Sequence, residues 1–460
     1  MSQGSGTTTL NAPSDEAVRP EQIPLPRGRG LITTVGPGLV LAMTFLGTGD
    51  LVSSSVSGAN YAYLLVWTLV ISLVARTFIV SSIAKYTLMN RHGDTQILEG
   101  FHRILPWLPG FMAGVVLVAG FVTQATFLKA CAIGLYQLTG GSWGGEWGTF
   151  VCAVVMVGVT LVVITSRRQF TILEYIARFA SVLMIGAFVY ALFKIGTFDV
   201  AGFFQGLFTF QTSSETTGAF GPIVIACATI GTIAGNMPNL LYSGFMKDKG
   251  WVGPRYRKLQ QFDLMSGMLP LLLINLLFWV VAAEFAHPRG LSISDEGDLS
   301  HMMELIVGPV GPYILWFCIF AAAASSFPSE TRGFAQLAVN GLHLSTRSGQ
   351  KWLGRDEKDP KFRWIQIVVF TVVPIVASLP HAPNLIALNV VGTSVSTVLS
   401  LPFIVIALVI LTSSKKYMFG YAVNKRWQIG ALGVLGVIAI VVGVQIAISL
   451  PTQLGTAFSG

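Results

Sequence analysis

The sequence predicts an all-α integral membrane protein with eleven transmembrane helices. Composition is the first reason, because 53 % of the residues are apolar and only 11 % are charged, which excludes a soluble enzyme with a large core. Hydropathy is the second, because runs of about 20 apolar residues, enough to cross a bilayer, recur along the chain. We expect spans at residues 31–60, 61–87, 108–138, 148–166, 171–195, 220–246, 263–285, 307–343, 364–380, 383–412 and 428–450.

The distribution of Lys and Arg supports this topology. If the N-terminus is cytoplasmic, the basic residues between spans fall in cytoplasmic segments, and the outside segments hold only Lys194 and Arg289. This is the asymmetry that the positive-inside rule requires. We therefore expect a multi-pass protein of the cell (plasma) membrane with an extracytoplasmic C-terminus. The net charge of +8 then reflects membrane insertion, and no nucleic-acid partner is predicted.

The segments outside the spans carry few signals of function. Residues 1–30 are rich in Ser, Thr, Pro and charge and lack the apolar core of a signal peptide, which predicts a disordered cytoplasmic tail. The acidic segment 286–304 is expected to be a solvated outer loop, with local enrichment of cations as the alternative. All four cysteines fall inside spans without paired spacing, so neither a disulfide framework nor a metal cluster is expected.

Two spans are interrupted in the middle by polar, helix-breaking residues. The first break is Gly47-Thr48-Gly49-Asp50, and the second is Gly235-Asn236-Met237-Pro238-Asn239. Such residues are tolerated at bilayer depth only where they are buried in protein or line a cavity, and paired breaks indicate a transporter's binding site. If residues 31–195 and 220–412 are inverted repeats, with 428–450 as an added span, the two breaks meet near the membrane midplane.

The residues at these breaks include several candidate ligands. Asp50 is a carboxylate near bilayer depth, which favours ion handling; the alternative is an N-cap for a helix that starts at Leu51. Pro238 removes a backbone donor and frees a carbonyl near Ala234. Met237 offers a soft thioether ligand, with core packing as its alternative. The amides of Asn236 and Asn239 offer oxygen ligands or helix caps.

Four short motifs resemble those of the Nramp family of divalent-metal transporters, which are proton-coupled importers. They are Gly36-Pro37-Gly38-Leu39, Gly58-Ala59-Asn60-Tyr61-Ala62-Tyr63, Met237-Pro238-Asn239-Leu240-Leu241-Tyr242 and Leu401-Pro402-Phe403. The resemblance implies a LeuT-like fold, a five-plus-five inverted repeat in which helices 1 and 6 are broken. It also implies a transporter that uses alternating access and not an enzyme.

The site residues depart from the family pattern. The family's ligand Asp corresponds to Gly47 here, and its ligand Asn corresponds to Asp50. The resemblance keeps Met237 and places Ala234 at the position that supplies a backbone carbonyl, whereas the motif's His is Asn239. Ser394 aligns with the Gln of the family's tenth span. The substrate-binding candidates are then Gly47, Thr48, Asp50, Ala234, Asn236, Met237, Asn239 and Ser394. The metal-ligand candidates among them are Asp50, Met237, Asn239 and Ala234.

Proton coupling is predicted to be weakened or absent. The third-span segment that holds two acids in the family contains Gln124 and Lys129 but no acid. Span 8 also contains charged residues, because Glu330 precedes Arg332 there by two residues. Arg76 and Arg178 are further basic candidates. Lys129 either snorkels to the interface, pairs with a carboxylate or meets the substrate. Pathway or coupling candidates are Gln124, Lys129, Glu330 and Arg332, with a structural Glu330–Arg332 pair as the alternative.

Two functions remain open at this point. The first is a secondary transporter of a small ion, a divalent metal cation above all, through a midplane site. The alternative is a transporter of a small anion, such as bicarbonate or a carboxylate, on the same scaffold. The predicted partners are the ion and the lipid bilayer, no cofactor is predicted, and the oligomeric state is open, with a monomer as one alternative.

Overall fold

The structure is a computed structural model that describes residues 48–165, 179, 182–183, 185–196, 198–211, 216–217, 220–235 and 237–459. These residues are almost entirely helical. The helices are α1 (Thr48–Tyr61), α2 (Val66–Met89), α3 (Ile97–Ile104), α4 (Leu108–Leu138), α5 (Gly148–Thr165), α6 (Ile185–Ile195), α7 (Val200–Thr209), α8 (Pro222–Ile233), α9 (Leu241–Asp248), α10 (Arg257–Phe285), α11 (Glu296–Val307), α12 (Gly311–Ser345), α13 (Pro360–Trp364), α14 (Leu385–Ser413) and α15 (Arg426–Ser459).

The all-α membrane fold is confirmed. Within the described residues, 9 helices are long and apolar enough to cross a membrane, and the bent pair α6 and α7 would make 10. The predicted third span coincides with α4, and the fourth and tenth agree with α5 and α14 to within two residues. The tail 1–30, the start of the first span and part of the fifth lie outside the described residues, so the count of eleven spans stays a prediction.

The predicted break in the sixth span is present. Helix α8 ends at Ile233, a 3₁₀ turn covers Met237–Leu240, and α9 begins at Leu241. Pro238 cannot donate a backbone hydrogen bond, which prevents a continuous helix here. The predicted break in the first span is described only in part. Helix α1 is described from Thr48 onward, and Gly47 lies outside the described residues.

The ninth span changes its helical type along its length. It begins at Pro360, four residues before the predicted edge, because Asp359 caps α13 by accepting a hydrogen bond from the Lys361 backbone. A π-helix then covers Ile365–Val372 and a 3₁₀-helix covers Val373–Ser378. Pro374 lies in the 3₁₀ part, where its missing donor interrupts the regular ladder.

The expectation of a plain solvated loop at 286–304 is wrong for its second half. Helix α11 begins there, and the Asp295 carboxylate caps it by accepting from the backbone N–H of Gly297 and Asp298. The apolar residues of α11 recur at helical spacing and bury one face of the helix; they are Leu299, Met302, Met303 and Ile306.

Close backbone contact fixes α1 against α10. A Cβ atom added to Gly58 would lie 2.4 Å from the carbonyl oxygen of Trp279. The Trp279 indole also donates a hydrogen bond of 2.7 Å to the carbonyl of Ala62, just after α1 ends. Because α1 begins at the first break, this packing determines where Asp50 lies.

Candidate functional site

The backbone of the second break is held by side chains. The carbonyl of Ala234 accepts a hydrogen bond of 3.0 Å from Asn239 Nδ2. The next carbonyl, of Gly235, accepts from Ser400 at 3.1 Å and from Ser396 at 3.4 Å, both on α14. These donors replace the backbone partners that a helix end lacks. Ala234 and Asn239, both predicted ligands, therefore bind each other in this conformation.

Asp50 lies in the first turn of α1 and is only 3 % exposed. The helix already includes Thr48, so Asp50 does not cap a helix that starts at Leu51. The Asn275 side chain of α10 lies within hydrogen-bonding reach of the carboxylate, while Oδ2 has no hydrogen-bond partner among the described residues. Because a buried carboxylate oxygen without a partner is costly, Asp50 is suited to bind a cation.

Arg76 of α2 lies near this carboxylate and near a second one, Glu330. It is fully buried and close enough to Asp50 and Glu330 to interact electrostatically with both. Its Nε donates a hydrogen bond of 3.1 Å to Asn239 Oδ1. We call Asp50, Arg76 and Glu330 the buried charge cluster; it connects α1, α2, α12 and the second break.

A polar face of α1 continues from Asp50. Ser53, Ser54 and Ser57 follow at the spacing that places side chains on one helical face. Ser54 donates to Asn275 Oδ1 at 2.9 Å, and Ser53 accepts from Asn389 Nδ2 at 3.2 Å. Ser57 lies 3.4 Å from the Thr229 hydroxyl of α8. Side-chain oxygens thus extend along α1 away from the cluster. The spacing of these residues in the sequence already indicates a polar helical face.

Gln124 lies at the same depth as Glu330. Helices α4 and α12 run antiparallel, with Gly120 against Phe334 and Gly134 against Phe320, so residues halfway along this contact face each other. Both Gln124 and Glu330 are buried, and neither has a hydrogen-bond partner for its side-chain polar atoms among the described residues. These two pathway candidates are therefore level with each other across the α4–α12 contact.

Two other predicted residues are buried but differ in their surroundings. Met237 is fully buried and belongs to a mainly apolar cluster. Ser394 of α14 is fully buried as well, and its hydroxyl has no partner in the described part of the chain. The predicted residues Gly47 and Asn236, and the further candidate Arg178, lie outside the described residues; of Thr48 only the backbone is described.

Two basic candidates bind elsewhere. The Lys129 ammonium donates to the carbonyls of Ala382, at 3.3 Å, and of Pro383. Arg332 is half-exposed and forms an ion pair of 2.5 Å with Glu357. The alternative of a Glu330–Arg332 pair is not formed, because residues two apart on a helix point to different sides. Neither Lys129 nor Arg332 belongs to the buried charge cluster.

Carboxylates are scarce around the site. In the part of the chain that the structure describes, no group of three or more His, Cys, Asp and Glu residues is arranged to hold a metal ion. A cation at Asp50 would depend on neutral ligands for the rest of its coordination.

Comparison with known proteins identifies the family. The family model described as natural resistance-associated macrophage protein-like (Nramp) matches residues 38–449. The chain belongs to the Nramp family. As an Nramp protein it is a multi-pass membrane transporter and not an enzyme, as predicted.

Similar Nramp proteins include two that are named divalent metal cation transporter MntH. The one from Deinococcus radiodurans is 26 % identical over 318 residues, which cover 67 % of this chain and 68 % of the relative. The one from Bacillus subtilis is 22 % identical over 435 residues, which cover 91 % and 93 %.

Solved structures share the fold. A manganese transporter of Eremococcus coleocola aligns with a TM-score of 0.72 and 18 % identity, covering 93 % of this chain and 89 % of that one. MhsT in complex with L-phenylalanine aligns with a TM-score of 0.51 and 15 % identity, covering 90 % and 98 %. The predicted LeuT-like fold is confirmed for this Nramp chain.

Two residues near Asp50 fall outside the ligand set predicted for this Nramp protein: Arg76 of α2, a further basic candidate, and Asn275 of α10. Both are polar residues in long apolar helices, so a search for polar residues inside predicted spans would have found them. Only the structure brings them to Asp50.

Proposed function

We propose that this Nramp protein is a secondary transporter that carries a divalent metal cation through a midplane site centred on Asp50, with weakened or absent proton coupling. The observation that carries the proposal is the buried Asp50 carboxylate at the first break, with one oxygen that has no partner among the described residues. The names of the relatives support a divalent metal as substrate. The proposal includes the cell membrane as location, a cytoplasmic N-terminus and the two repeats 31–195 and 220–412.

The proposed ligands of the cation are Asp50, the Met237 thioether, the Asn239 amide and the Ala234 carbonyl. In the present conformation Asn239 Nδ2 and the Ala234 carbonyl bind each other, so cation binding would turn the amide oxygen of Asn239 toward the ion. A thioether favours transition metals over Mg²⁺ and Ca²⁺. With a single carboxylate among these ligands, binding is expected to be weaker than at a site with two.

Arg76 supports the coupling part of the proposal. When no cation is bound, the Arg76 guanidinium neutralises the negative charge of the Asp50 carboxylate. In a proton-coupled carrier a bound proton neutralises this charge instead. A cation that arrives at Asp50 would displace Arg76, which would remain paired with Glu330. The empty transporter could then change conformation without a proton on Asp50, and the acid-free segment around Gln124 agrees with this.

The anion alternative receives less support from the geometry. Its two basic residues, Lys129 and Arg332, are bound to backbone carbonyls and to Glu357. The remaining candidate, Arg76, already faces two carboxylates. Formally the buried charge cluster contains more negative than positive groups, which favours a cation.

Uptake into proteoliposomes tests the substrate and the site together. We expect the wild type to accumulate Mn²⁺, and Asp50→Asn, which keeps the shape but removes the charge, to abolish uptake. Glu304→Gln is the matched control, because Glu304 is an exposed acid of α11 and its loss should leave uptake unchanged. Mn²⁺ uptake that survives in Asp50→Asn would contradict the site.

Proton coupling needs a separate measurement. A pH-sensitive dye inside the vesicles reports whether protons enter with Mn²⁺. We expect no acidification during uptake and little change of the uptake rate when an inward proton gradient is imposed. Acidification that depends on Mn²⁺ would reject the coupling part and leave the cation part intact.

A further inference from the structure

A cavity of about 200 Å³ lies where the C-terminal part of α2 meets the N-terminal parts of α10 and α15. It is separate from the buried charge cluster. One water needs roughly 10–15 Å³ of such space, so the cavity has room for a group of several heavy atoms. The positive-inside rule predicts that this end of the three helices is cytoplasmic.

The cavity is basic. Lys85 and Arg257 line it, and none of the described residues that line it is Asp or Glu. Lys425 lies close enough to Lys85 to repel it, as does Arg257. In the described part of the chain Lys85 bonds to neutral oxygens only, at 2.6 Å from Asn424 Oδ1 and 3.3 Å from Gln428 Oε1.

Arg257 is held in place by neutral groups too. Its guanidinium donates to the Ser81 carbonyl and hydroxyl, both at 2.8 Å, and to Gln260 Oε1 at 2.7 Å. Two fixed cations with hydroxyl and amide groups around them are suited to a phosphate group, which accepts several charge-assisted hydrogen bonds. An anion would also relieve the repulsion between the basic residues.

The far end of the cavity is apolar. Phe78 lies two helical turns from Lys85 on α2, about 10 Å deeper along the axis, and packs edge to face with Trp427 at 6.2 Å. Trp427 is 60 % exposed, and exposed tryptophans are enriched where proteins meet the membrane interface. A polar, basic end beside an apolar, aromatic end matches the change from headgroup to acyl chain in a lipid.

We propose that this cavity binds the phosphate group of an anionic phospholipid, with Lys85 and Arg257 on the phosphate and Phe78 and Trp427 along the start of the acyl chains. Basic pockets between transmembrane helices on the cytoplasmic side are a known means of headgroup binding. The site is independent of the transported ion.

Native mass spectrometry of the purified, delipidated full chain tests the proposal with phosphatidylglycerol and phosphatidylcholine. We expect phosphatidylglycerol to bind more tightly than phosphatidylcholine. Lys85→Gln should weaken phosphatidylglycerol binding roughly fivefold, and Lys85→Gln with Arg257→Gln about 25-fold, if each basic group contributes as it does near an anionic surface. The control is Lys258→Gln with Lys415→Gln, which removes two exposed charges and should leave binding unchanged.

Two outcomes would overturn the site: equal binding of the two lipids, or equal phosphatidylglycerol binding in the Lys85/Arg257 and control variants. If the double variant fails to fold, two other variants decide the same question. Lys85→Arg with Arg257→Lys should retain binding, and Lys85→Gln alone should weaken it.

Inorganic phosphate distinguishes the source of the ligand. Displacement of the lipid by phosphate, dependent on Lys85 and Arg257, would assign a soluble phosphate, and resistance to displacement would assign the lipid.

Discussion

Arg76 of α2 donates its Nε–H to Asn239 Oδ1 across 3.1 Å, although 163 positions separate the two residues in the chain. The same guanidinium lies near Asp50 and Glu330, and Asn239 in turn donates to the Ala234 carbonyl at 3.0 Å. The side chains of Arg76 and Asn239 therefore connect the acid of the first break to the backbone of the second. A change in the charge near Asp50 is expected to alter the geometry of both breaks.

Removing Arg76 should strengthen cation binding. Arg76→Gln takes a positive charge away from Asp50, and at an effective dielectric constant of about 20 this should raise the affinity for Mn²⁺ about tenfold or more. The same change leaves two buried carboxylates without their counter-charge, which should destabilise the empty protein by about 3–5 kcal/mol. Calorimetric titration measures the first effect, and thermal unfolding with and without Mn²⁺ measures the second.

Arg76→Lys is the control for this experiment because it retains the charge. It should keep the affinity near that of the wild type, with a loss of stability from the missing guanidinium contacts. A weaker affinity for Mn²⁺ in Arg76→Gln would show that Arg76 supports the site in another way.

The contact between Arg76 and Asn239 should appear as an energetic coupling. Asn239→Ala removes the acceptor of the Arg76 Nε–H and the donor to the Ala234 carbonyl, and should cost about 1–3 kcal/mol. A double-mutant cycle with Arg76→Met isolates the direct contact, for which we expect about 0.5–3 kcal/mol of coupling. Thermal or denaturant unfolding in detergent supplies the four stabilities. Strictly additive effects would mean that the two side chains do not interact.

Several spans could be predicted closely from the sequence, because a transmembrane helix must be apolar over a fixed length. The predicted third span coincides with Leu108–Leu138, and the break after Ile233 follows from the residues around Pro238. The helix Glu296–Val307 was missed because acidic residues at its start hid the apolar face of its later part.

The site was predicted less completely, since its contacts join residues far apart in the chain. The sequence left open whether Glu330 and Arg332 pair or one of them faces the pathway. In the structure Arg332 binds Glu357, and Glu330 lies near Arg76. Arg76 carries no local signal of its partners, because an apolar helix with one charged residue looks the same whichever neighbour that residue meets. Only the tertiary packing determines which residues such a charged side chain contacts.

Gly58 should be intolerant of a side chain. A Cβ atom there would lie 2.4 Å from the Trp279 carbonyl, so Gly58→Ala must separate α1 from α10, at a cost typical of overpacking, about 1–3 kcal/mol. Gly114→Ala in α4 is the control, because an added Cβ atom meets nothing within 4 Å there; it should stabilise the helix by about 0.5–1 kcal/mol. Thermal unfolding of both variants decides the matter, and equal melting temperatures would contradict the tight α1–α10 contact.

His343, at the end of α12, lies between two carboxylates. Its Nδ1 is 2.9 Å from Asp356 Oδ1, and its Nε2 is 2.7 Å from Asp359 Oδ2. Burial alone would raise the pKa of Asp359, but the hydrogen bonds from His343 and the Lys361 backbone, with the charges of both residues, hold this pKa below its ordinary value of 3.8.

This lowered pKa predicts a loss of stability in acid. The folded protein binds a proton at Asp359 less readily than the unfolded chain, so the stabilisation is fully present above the ordinary pKa of 3.8 and disappears as the pH falls through the lower, folded value. Asp359→Asn should therefore be less stable than the wild type by about 1.5–3 kcal/mol near neutral pH, with a difference that shrinks below about pH 4. Thermal unfolding from neutral to acidic pH measures this difference. Glu146→Gln, which changes an exposed acid, should follow the wild type throughout, and a gap for Asp359→Asn that persists in acid would mean that its origin is not the charge of Asp359.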